Sequence, residues 1–331
     1  MRFLLQLHGD LGVDDYPRLA ARAEALGFED VTVHDVLLRR PVWPLLCDIA
    51  RSTARVKVGP NVTHPYLSHP VQIAANLAHL DELAGGRAVL GIGRGSMYDL
   101  VGRADPSTHA GLSEAIDVIR ALTAGGGGPV GGEAFPLAAG ARLHFGTRRR
   151  VPVYLGALGL KGARFAGAHC DGLRVAAQWE PSYARTLRDA LQAGAEAAGR
   201  PRGSVDLVIE NWTFLHPDRD LARVGARQIL AAFLPHLGPL LRFHSIPGHE
   251  VSAAADYVRY GDERVLDRIS GRTVDLFMAA GDDTDLRAGL ERLAAAGFDA
   301  VSFSGRLGPD PALALEILGR EIAARSGSSP D

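Results

Sequence analysis

The segment from residue 56 to residue 96 constrains the fold most, because it reads as strand, loop, helix, strand and glycine-rich loop without a break. A β-branched run at residues 56–58 stops at Gly59 and Pro60, and polar residues follow where a parallel strand would end. Residues 87–92 form the next predicted strand, which ends in a loop with glycines at alternate positions. The helix between these strands is predicted from apolar residues at three- and four-residue steps, namely Ile73, Leu77, Leu80 and Ala84.

The same alternation of strands and helices continues along the 331 residues. Strands are predicted at residues 2–7, 30–34, 56–59, 87–91, 153–156, 172–175, 204–213, 274–278 and 300–304. We expect eight of these to close a barrel and one to be an accessory strand or a misassignment. The helix–glycine–strand pattern of residues 25–33 returns at residues 295–303, which favours a barrel over a doubly wound sheet. We therefore predict an α/β fold, a (β/α)8 TIM barrel with insertions, in a single domain over residues 1–325.

Two stretches interrupt the alternation. Residues 125–150 contain a four-glycine run and a predicted hairpin that pairs residues 131–137 with residues 141–145. Residues 235–271 are rich in His and Gly and poor in strand signals, so we expect a mobile cover over the site there. Residues 326–331 are predicted to be a disordered tail.

The composition argues against several kinds of partner. The formal net charge is −2, so we expect no charge-driven binding to nucleic acid or to a membrane. Cys47 and Cys170 lack metal-ligand spacing, as do His244, His249 and Glu250, and no metal site is predicted. The chain enters a strand at once and contains no apolar run of membrane-spanning length, so we expect a soluble, unprocessed, cytoplasmic protein.

Several motifs resemble one family, the luciferase-like flavin and deazaflavin oxidoreductases, and within it the coenzyme F420-dependent enzymes related to methylenetetrahydromethanopterin reductase. The matching residues are Val62-Thr63, Pro65, His69-Pro70, Leu80-Asp81-Glu82-Leu83, Gly85-Gly86-Arg87, residues 91–95 and a later block over residues 152–172. His64 stands where the family usually has Asn. The likeness spans most of the chain.

The resemblance implies a barrel that binds coenzyme F420 and transfers hydride between the deazaflavin C5 and a small organic substrate. It also implies a homodimer. Because a deazaflavin carries the redox chemistry itself, the protein would mainly align the reactants and keep the pocket dry. Two alternatives stay open: an FMN-dependent luciferase-like monooxygenase, and a non-catalytic ligand-binding barrel of the same fold.

The loop after the third strand is the first candidate cofactor contact. The resemblance implies that Asn61, Val62 and Thr63 touch the cofactor and that the bond between Asn61 and Val62 is a non-proline cis peptide beneath the ring. An ordinary trans loop is the alternative.

The glycine-rich loop of Gly93, Arg94, Gly95 and Ser96 is the second candidate. Its spacing is neither a Rossmann fingerprint nor a Walker loop. The resemblance implies that it lies beside the deazaflavin and its substrate, with Arg94 available to an anionic group. The alternative is a plain turn.

The third candidate is the strand-to-helix junction that begins at Gly156. Unpaired amides at a helix N-terminus suit a phosphate, and Lys161 adds positive charge. The cofactor-binding residues predicted here are Gly156, Ala157, Gly159, Leu160 and Lys161. The alternative is that these glycines only let the helix pack against the sheet.

The end of the second strand carries the candidate catalytic residues, His34 and Asp35. The resembling F420 enzymes usually have an Asp-His pair near this place, and here Val36 or Asp35 replaces the expected histidine. Proton transfer by His34, a hydrogen bond between Asp35 and the cofactor and a purely structural role for His34 all stay open. His8, at the end of the first strand, is a candidate substrate contact.

Overall fold

A closed barrel of parallel strands organises the protein. The computed structural model describes residues 1–96 and 98–326, and for Ser326 the backbone alone. The strands are β1 (Arg2–Leu7), β2 (Asp30–Val33), β3 (Lys57–Pro60), β4 (Leu90–Ile92), β5 (Val153–Gly156), β6 (Gly172–Ala176), β7 (Asp206–Leu215), β8 (Met278–Gly281) and β9 (Ala300–Leu307). Every strand pair is parallel, and the order β3-β2-β1-β9-β7-β6-β5-β4 is closed by bridges from Val58 to Ala88 and from Thr63 to Ile92. The predicted (β/α)8 barrel is confirmed, with β8 as an accessory strand that pairs with the end of β7.

Helices connect the strands and cover the outside of the barrel. They are α1 (Asp15–Ala25), α2 (Val42–Ser52), α3 (Pro70–Leu83), α4 (His109–Thr123), α5 (Leu160–His169), α6 (Ser182–Ala197), α7 (Arg219–Phe233), α8 (Gly238–Phe243), α9 (Gly248–Tyr260), α10 (Gly271–Phe277), α11 (Asp283–Ala295) and α12 (Pro311–Ser326). Short 3-10 turns occupy Tyr98–Val101, Leu234–His236 and Glu263–Arg268. Within the described ranges no helix is both long enough and apolar enough to cross a membrane.

The helix starts follow from the local sequence. His69 caps α3 by accepting a hydrogen bond from the backbone of Val71, and Pro70 fills the first helical position. Asp282 and Asp285 form a capping box at the start of α11. Apolar side chains of α3 at the predicted three- and four-residue steps are fully buried: Ile73, Leu77 and Leu80. The apolar stripes of such helices pack on the sheet and make the main core.

The inside of the barrel combines an apolar cluster with a layer of charged and polar side chains. The cluster contains Leu4, Val89, Tyr154, Val208 and Ala300. The polar layer includes an ion pair between Arg174 on β6 and Asp30 on β2, both almost fully buried. Since β2 and β6 are not neighbours in the sheet, this pair crosses the barrel interior.

The expected strand at residues 274–278 is wrong. Residues 271–277 form α10, which begins where Ser270 accepts a hydrogen bond from the backbone of Thr273. Val274 and Phe277 are buried by helical packing, and only Met278 belongs to a strand. An apolar run too short to show its period hid this helix.

Both interruptions of the barrel differ from the sequence prediction. The predicted hairpin has the wrong register, because Val130 bridges Leu137 and Gly127 bridges Arg142, which places the turn inside the predicted first arm. Residues 235–271 are poor in strand, as expected, but they hold helices α8 and α9, and of this stretch only His236 and Pro239 line the pocket. For the tail, Ser326 is the last residue of α12, and residues 327–331 lie outside the described residues.

Candidate active site at the carboxyl end of the barrel

A cavity of about 710 Å³ opens over the carboxyl ends of β2, β4 and β5. Ligand sites of (β/α)8 enzymes lie at this end of the barrel. The lining residues are His34, Asp35, Val36, Leu37, Val62, His64, Gly93, Arg94, Gly95, Ser96, His109, Leu112, Leu155, Gly156, Ala157, Leu158, Gly159, Lys161, Gly162, His236 and Pro239. The pocket is therefore apolar over much of its wall, with histidines and two strong cations at defined places.

Val62 and two glycines form part of the cavity wall. A Cβ atom on Gly156 would lie 2.6 Å from Cγ1 of Val62, and one on Gly93 would lie 3.0 Å from Cγ2. Both distances are too short for a normal contact, so a side chain at either position would displace Val62. The peptide bond between Asn61 and Val62 is cis, as the resemblance implied.

The residues on either side of Val62 hold it in place from below. The carbonyl oxygen of Asn61 accepts a hydrogen bond from the side chain of Gln6, and Asn61 Nδ2 donates to Glu210 Oε2 at 2.6 Å. Thr63 exchanges backbone hydrogen bonds of 2.9 Å with Gly91 and Gly93. Asn61 and Thr63 are buried and absent from the cavity lining, so Val62 alone of this trio faces the pocket.

Glu210 brings a third charged group into the layer beneath the pocket. Burial raises the pKa of Glu210 to about 7, and the charge of Arg174 opposes that rise. Because Arg174 already pairs with Asp30, an ionised Glu210 would leave the layer with one excess negative charge. Near neutral pH the carboxyl is thus close to half protonated.

One side of the cavity is cationic. Arg94 and Lys161 both line it, and their charges, together with burial as the larger cause, lower the pKa of His109. Lys161 lies in the first turn of α5, whose N-cap Gly159 offers no side chain to the free helix amides. An anionic group in this part of the cavity would meet two cations and a helix N-terminus.

His34 and Asp35 both line the cavity, with His8 behind them. The rings of His8 and His34 meet edge to face with centroids 5.4 Å apart, and His8 Nδ1 is hydrogen-bonded to Asp10. Burial, and then the charge of His8, lower the pKa of His34 to about 3, so its ring is neutral at physiological pH. His8 does not reach the cavity lining.

Most of the predicted site residues therefore come together at one pocket, although their roles stay predictions. The predicted residues that line it are His34, Asp35, Val62, Gly93, Arg94, Gly95, Ser96, Gly156, Ala157, Gly159 and Lys161. Four others do not: Asn61, Thr63, Leu160 and His8. Leu160 is the first residue of α5 and is 42% exposed.

Sequence reasoning missed three histidines of the lining. His64 lies four residues after the end of β3, in the loop at the carboxyl end of that strand, so its position was a usable signal. His109 begins α4 and His236 ends a 3-10 turn, and both reach the pocket only through the packing of these elements. No local pattern marks such residues.

A (β/α)8 barrel with a pocket over the carboxyl ends of its strands is the architecture of a large class of enzymes. The sequence shows which family within this class is present. The chain belongs to the luciferase-like monooxygenase family, whose pattern matches residues 4–300. The resemblance seen in the motifs is thereby confirmed.

Similar proteins match over almost the full length. The chain is 28% identical over 330 residues to the 5,10-methylenetetrahydromethanopterin reductase of Archaeoglobus fulgidus, covering 97% of this chain and 98% of that protein. It is 29% identical over 310 residues to the F420-dependent glucose-6-phosphate dehydrogenase of Amycolatopsis mediterranei, covering 89% of each. The structure of the coenzyme F420-dependent tetrahydromethanopterin reductase from Methanopyrus kandleri matches with a TM-score of 0.88 and 26% identity, over 98% of this chain and 99% of that one.

Proposed function

We propose that the protein is an oxidoreductase that uses coenzyme F420 and transfers hydride between the deazaflavin C5 and a small organic substrate. Full-length similarity to F420-dependent enzymes supports this proposal. The observation that carries it is local. One cavity combines a wall without side chains, made by Gly93, Gly95 and Gly156, with the cations Arg94 and Lys161.

These residues fit the chemistry of the cofactor. A flat ring needs a wall that no Cβ atom interrupts, and Gly156 and Gly93 are positions where a Cβ would disturb Val62. An ester phosphate needs cations and amides, and Lys161, Arg94 and the first turn of α5 provide them. When bound, F420 supplies hydride donor and acceptor chemistry at C5.

The rest of the lining would position the substrate and exclude water. Leu37, Leu112 and Leu158 give the pocket apolar walls, which strengthen the polar interactions inside it. We propose that Asp35 and His34 contact the bound reactants. Since His34 is neutral, it would act as a hydrogen-bonding partner and not as a carrier of charge.

Cofactor binding tests the proposal directly. Purified protein is titrated with F420 and with FMN, and both dissociation constants are measured by fluorescence. We expect F420 to bind at least tenfold more tightly than FMN. Tight FMN binding with no F420 binding would contradict the proposal.

An FMN-dependent monooxygenase is the second candidate, and membership of a family described as luciferase-like monooxygenases favours it. Oxygen uptake in the presence of reduced FMN would support this reading. A non-catalytic barrel would bind F420 and exchange no hydride with any candidate substrate. Labelled hydride passing from reduced F420 to product excludes that third reading.

We also propose that the protein forms a homodimer and that residues 1–325 form one domain. Analytical ultracentrifugation tests the first statement, since a monomer at micromolar concentration would refute it. A single cooperative unfolding transition supports the second.

A further inference from the structure

His64 lies in the cavity lining within reach of the hydroxyl group of Tyr98. Its Nδ1 is 3.4 Å from the hydroxyl oxygen of Tyr98, and the two rings meet edge to face with centroids 5.6 Å apart. Gly95 covers the same side of the ring, since a Cβ on Gly95 would lie 2.8 Å from His64 Nδ1. The Nδ1 edge therefore faces protein, while His64 also lines the pocket.

The contacts of Tyr98 determine which ring nitrogen carries the proton. The Tyr98 hydroxyl has one hydrogen, and it donates that hydrogen to the backbone carbonyl of Arg94. Towards His64 the hydroxyl oxygen can then only accept, so the proton of a neutral His64 ring lies on Nδ1. Nε2 is consequently the basic nitrogen.

Two opposing effects act on the pKa of the His64 ring. Burial lowers the pKa of His64, and the carboxylate of Asp35 acts in the opposite direction. Tyr98 stays neutral because burial raises its pKa to about 12. Among the described residues that line the cavity, Asp35 is the sole carboxylate, and Arg94 and His109 belong to its cationic side.

We propose that His64, oriented by Tyr98 and sharing the cavity lining with Asp35, exchanges the proton that accompanies hydride transfer, and that the substrate is a carbonyl compound or the matching alcohol. This inference rests on the proposed function. In reduction, the carbonyl carbon accepts a hydride from the reduced cofactor, the π electrons move to oxygen, and oxygen takes the proton from Nε2. The imidazolium becomes neutral imidazole, and oxidation of the alcohol runs in reverse.

The substrate class follows from the need for a proton. A carbonyl oxygen that receives hydride ends as a hydroxyl and must be protonated. A fully substituted iminium carbon would become a neutral amine by hydride addition alone and would have no use for His64. A proton-exchanging histidine in the pocket thus fits the carbonyl–alcohol pair and argues against such an iminium substrate.

Nuclear magnetic resonance of ¹⁵N-histidine-labelled protein, recorded without cofactor, tests which ring nitrogen of His64 carries the proton. The signals of His64 are identified as those missing from the spectrum of His64→Asn. We expect a high-pH form protonated on Nδ1, a titration midpoint that falls in Asp35→Asn, and loss of the Nδ1 preference in Tyr98→Phe. A ring protonated on Nε2, or a midpoint indifferent to Asp35→Asn, would overturn the inference.

Kinetics with reduced F420 and a panel of ketones tests the role. We expect His64→Asn to lower kcat about 100-fold or more while the F420 dissociation constant stays within about twofold. His79→Asn, on an exposed position of α3, serves as the matched control and should behave as wild type. Asn is the residue that the resembling family carries at position 64, so the variant should fold.

The outcomes separate the two proposals. Failure to bind F420 contradicts the proposed function. The magnetic resonance experiment still tests the geometry of His64, because it needs no cofactor. Bound F420 with full ketone turnover by His64→Asn overturns the inference alone. Bound F420 with no turnover of any ketone, or loss of the pH-dependent step in His34→Asn instead of His64→Asn, overturns it as well.

Discussion

The side-chain amide of Asn61 donates a 2.6 Å hydrogen bond to Glu210, so the residue before Val62 is held from the opposite wall of the barrel. Gln6 holds the carbonyl group of the same residue from β1. The pocket wall is thus tied to buried groups that do not line the cavity. Changes in that buried layer are expected to alter both the stability of the barrel and the shape of the site.

The first prediction concerns pH and stability. The pKa of Glu210 is raised by burial to about 7 in the folded protein, so folding favours its protonated form. The contribution of Glu210 to the free energy of unfolding is fully favourable below pH 4.5, weakens as the pH rises and is lost above about pH 7. Over this range the free energy of unfolding falls by about 3 kcal/mol. Urea denaturation between pH 4.5 and 8 should show this slope, and Glu210→Gln should flatten it. Glu291→Gln, on an exposed position of α11, is the control, and an equal slope in Glu210→Gln would refute the assignment.

The second prediction concerns the ion pair that crosses the barrel. Arg174→Met removes the cation that forms an ion pair with Asp30, and it also withdraws positive charge from Glu210. Breaking one side of a buried pair costs about 3–5 kcal/mol. The free energy of unfolding at pH 7 should fall by that amount, whereas Arg164→Met, at an exposed position of α5, should change it by less than about 0.5 kcal/mol.

The third prediction concerns the wall without side chains. Gly156→Ala places a Cβ 2.6 Å from Val62 and must move that side chain. We expect a loss of about 1–3 kcal/mol in stability and at least tenfold weaker F420 binding, measured by thermal unfolding and by titration. Gly248→Ala, where a Cβ meets no atom within 4 Å, should leave both quantities near wild type. Unchanged F420 affinity in Gly156→Ala would place the ring elsewhere.

The fourth prediction concerns the cationic side of the pocket. Lys161→Ala should weaken F420 binding about tenfold, because a charge-assisted contact with the phosphate is lost. Binding should also become less sensitive to salt. Arg164→Ala removes an equal charge about one helical turn further on, at a residue that does not line the cavity. Equal effects of the two variants would mean that only net charge matters.

The fold could be predicted from the sequence because its strands and helices follow from local sequence patterns. Strand and helix alternation predicted the barrel, and glycines at residues 93, 95 and 156 marked strand ends that do meet at one pocket. The helix at residues 271–277 was missed because its apolar run is short, and a cap at Ser270 decided its conformation.

The rest of the site depends on contacts between distant parts of the chain. Asn61 and Glu210 are 149 residues apart and meet only because β3 and β7 face each other across the interior. His236 arrives from the excursion between β7 and β8. Periodicity along the chain carries no information about which side chains will face each other across a barrel.

The excursion between β7 and β8 touches the pocket through His236 and Pro239, while the cations and glycines come from other loops. This one insert can therefore change in sequence and alter the cavity wall at His236 and Pro239, while the glycines and cations stay in place. A chimera that carries the insert between β7 and β8 of a relative would test whether this segment alone changes the substrate preference.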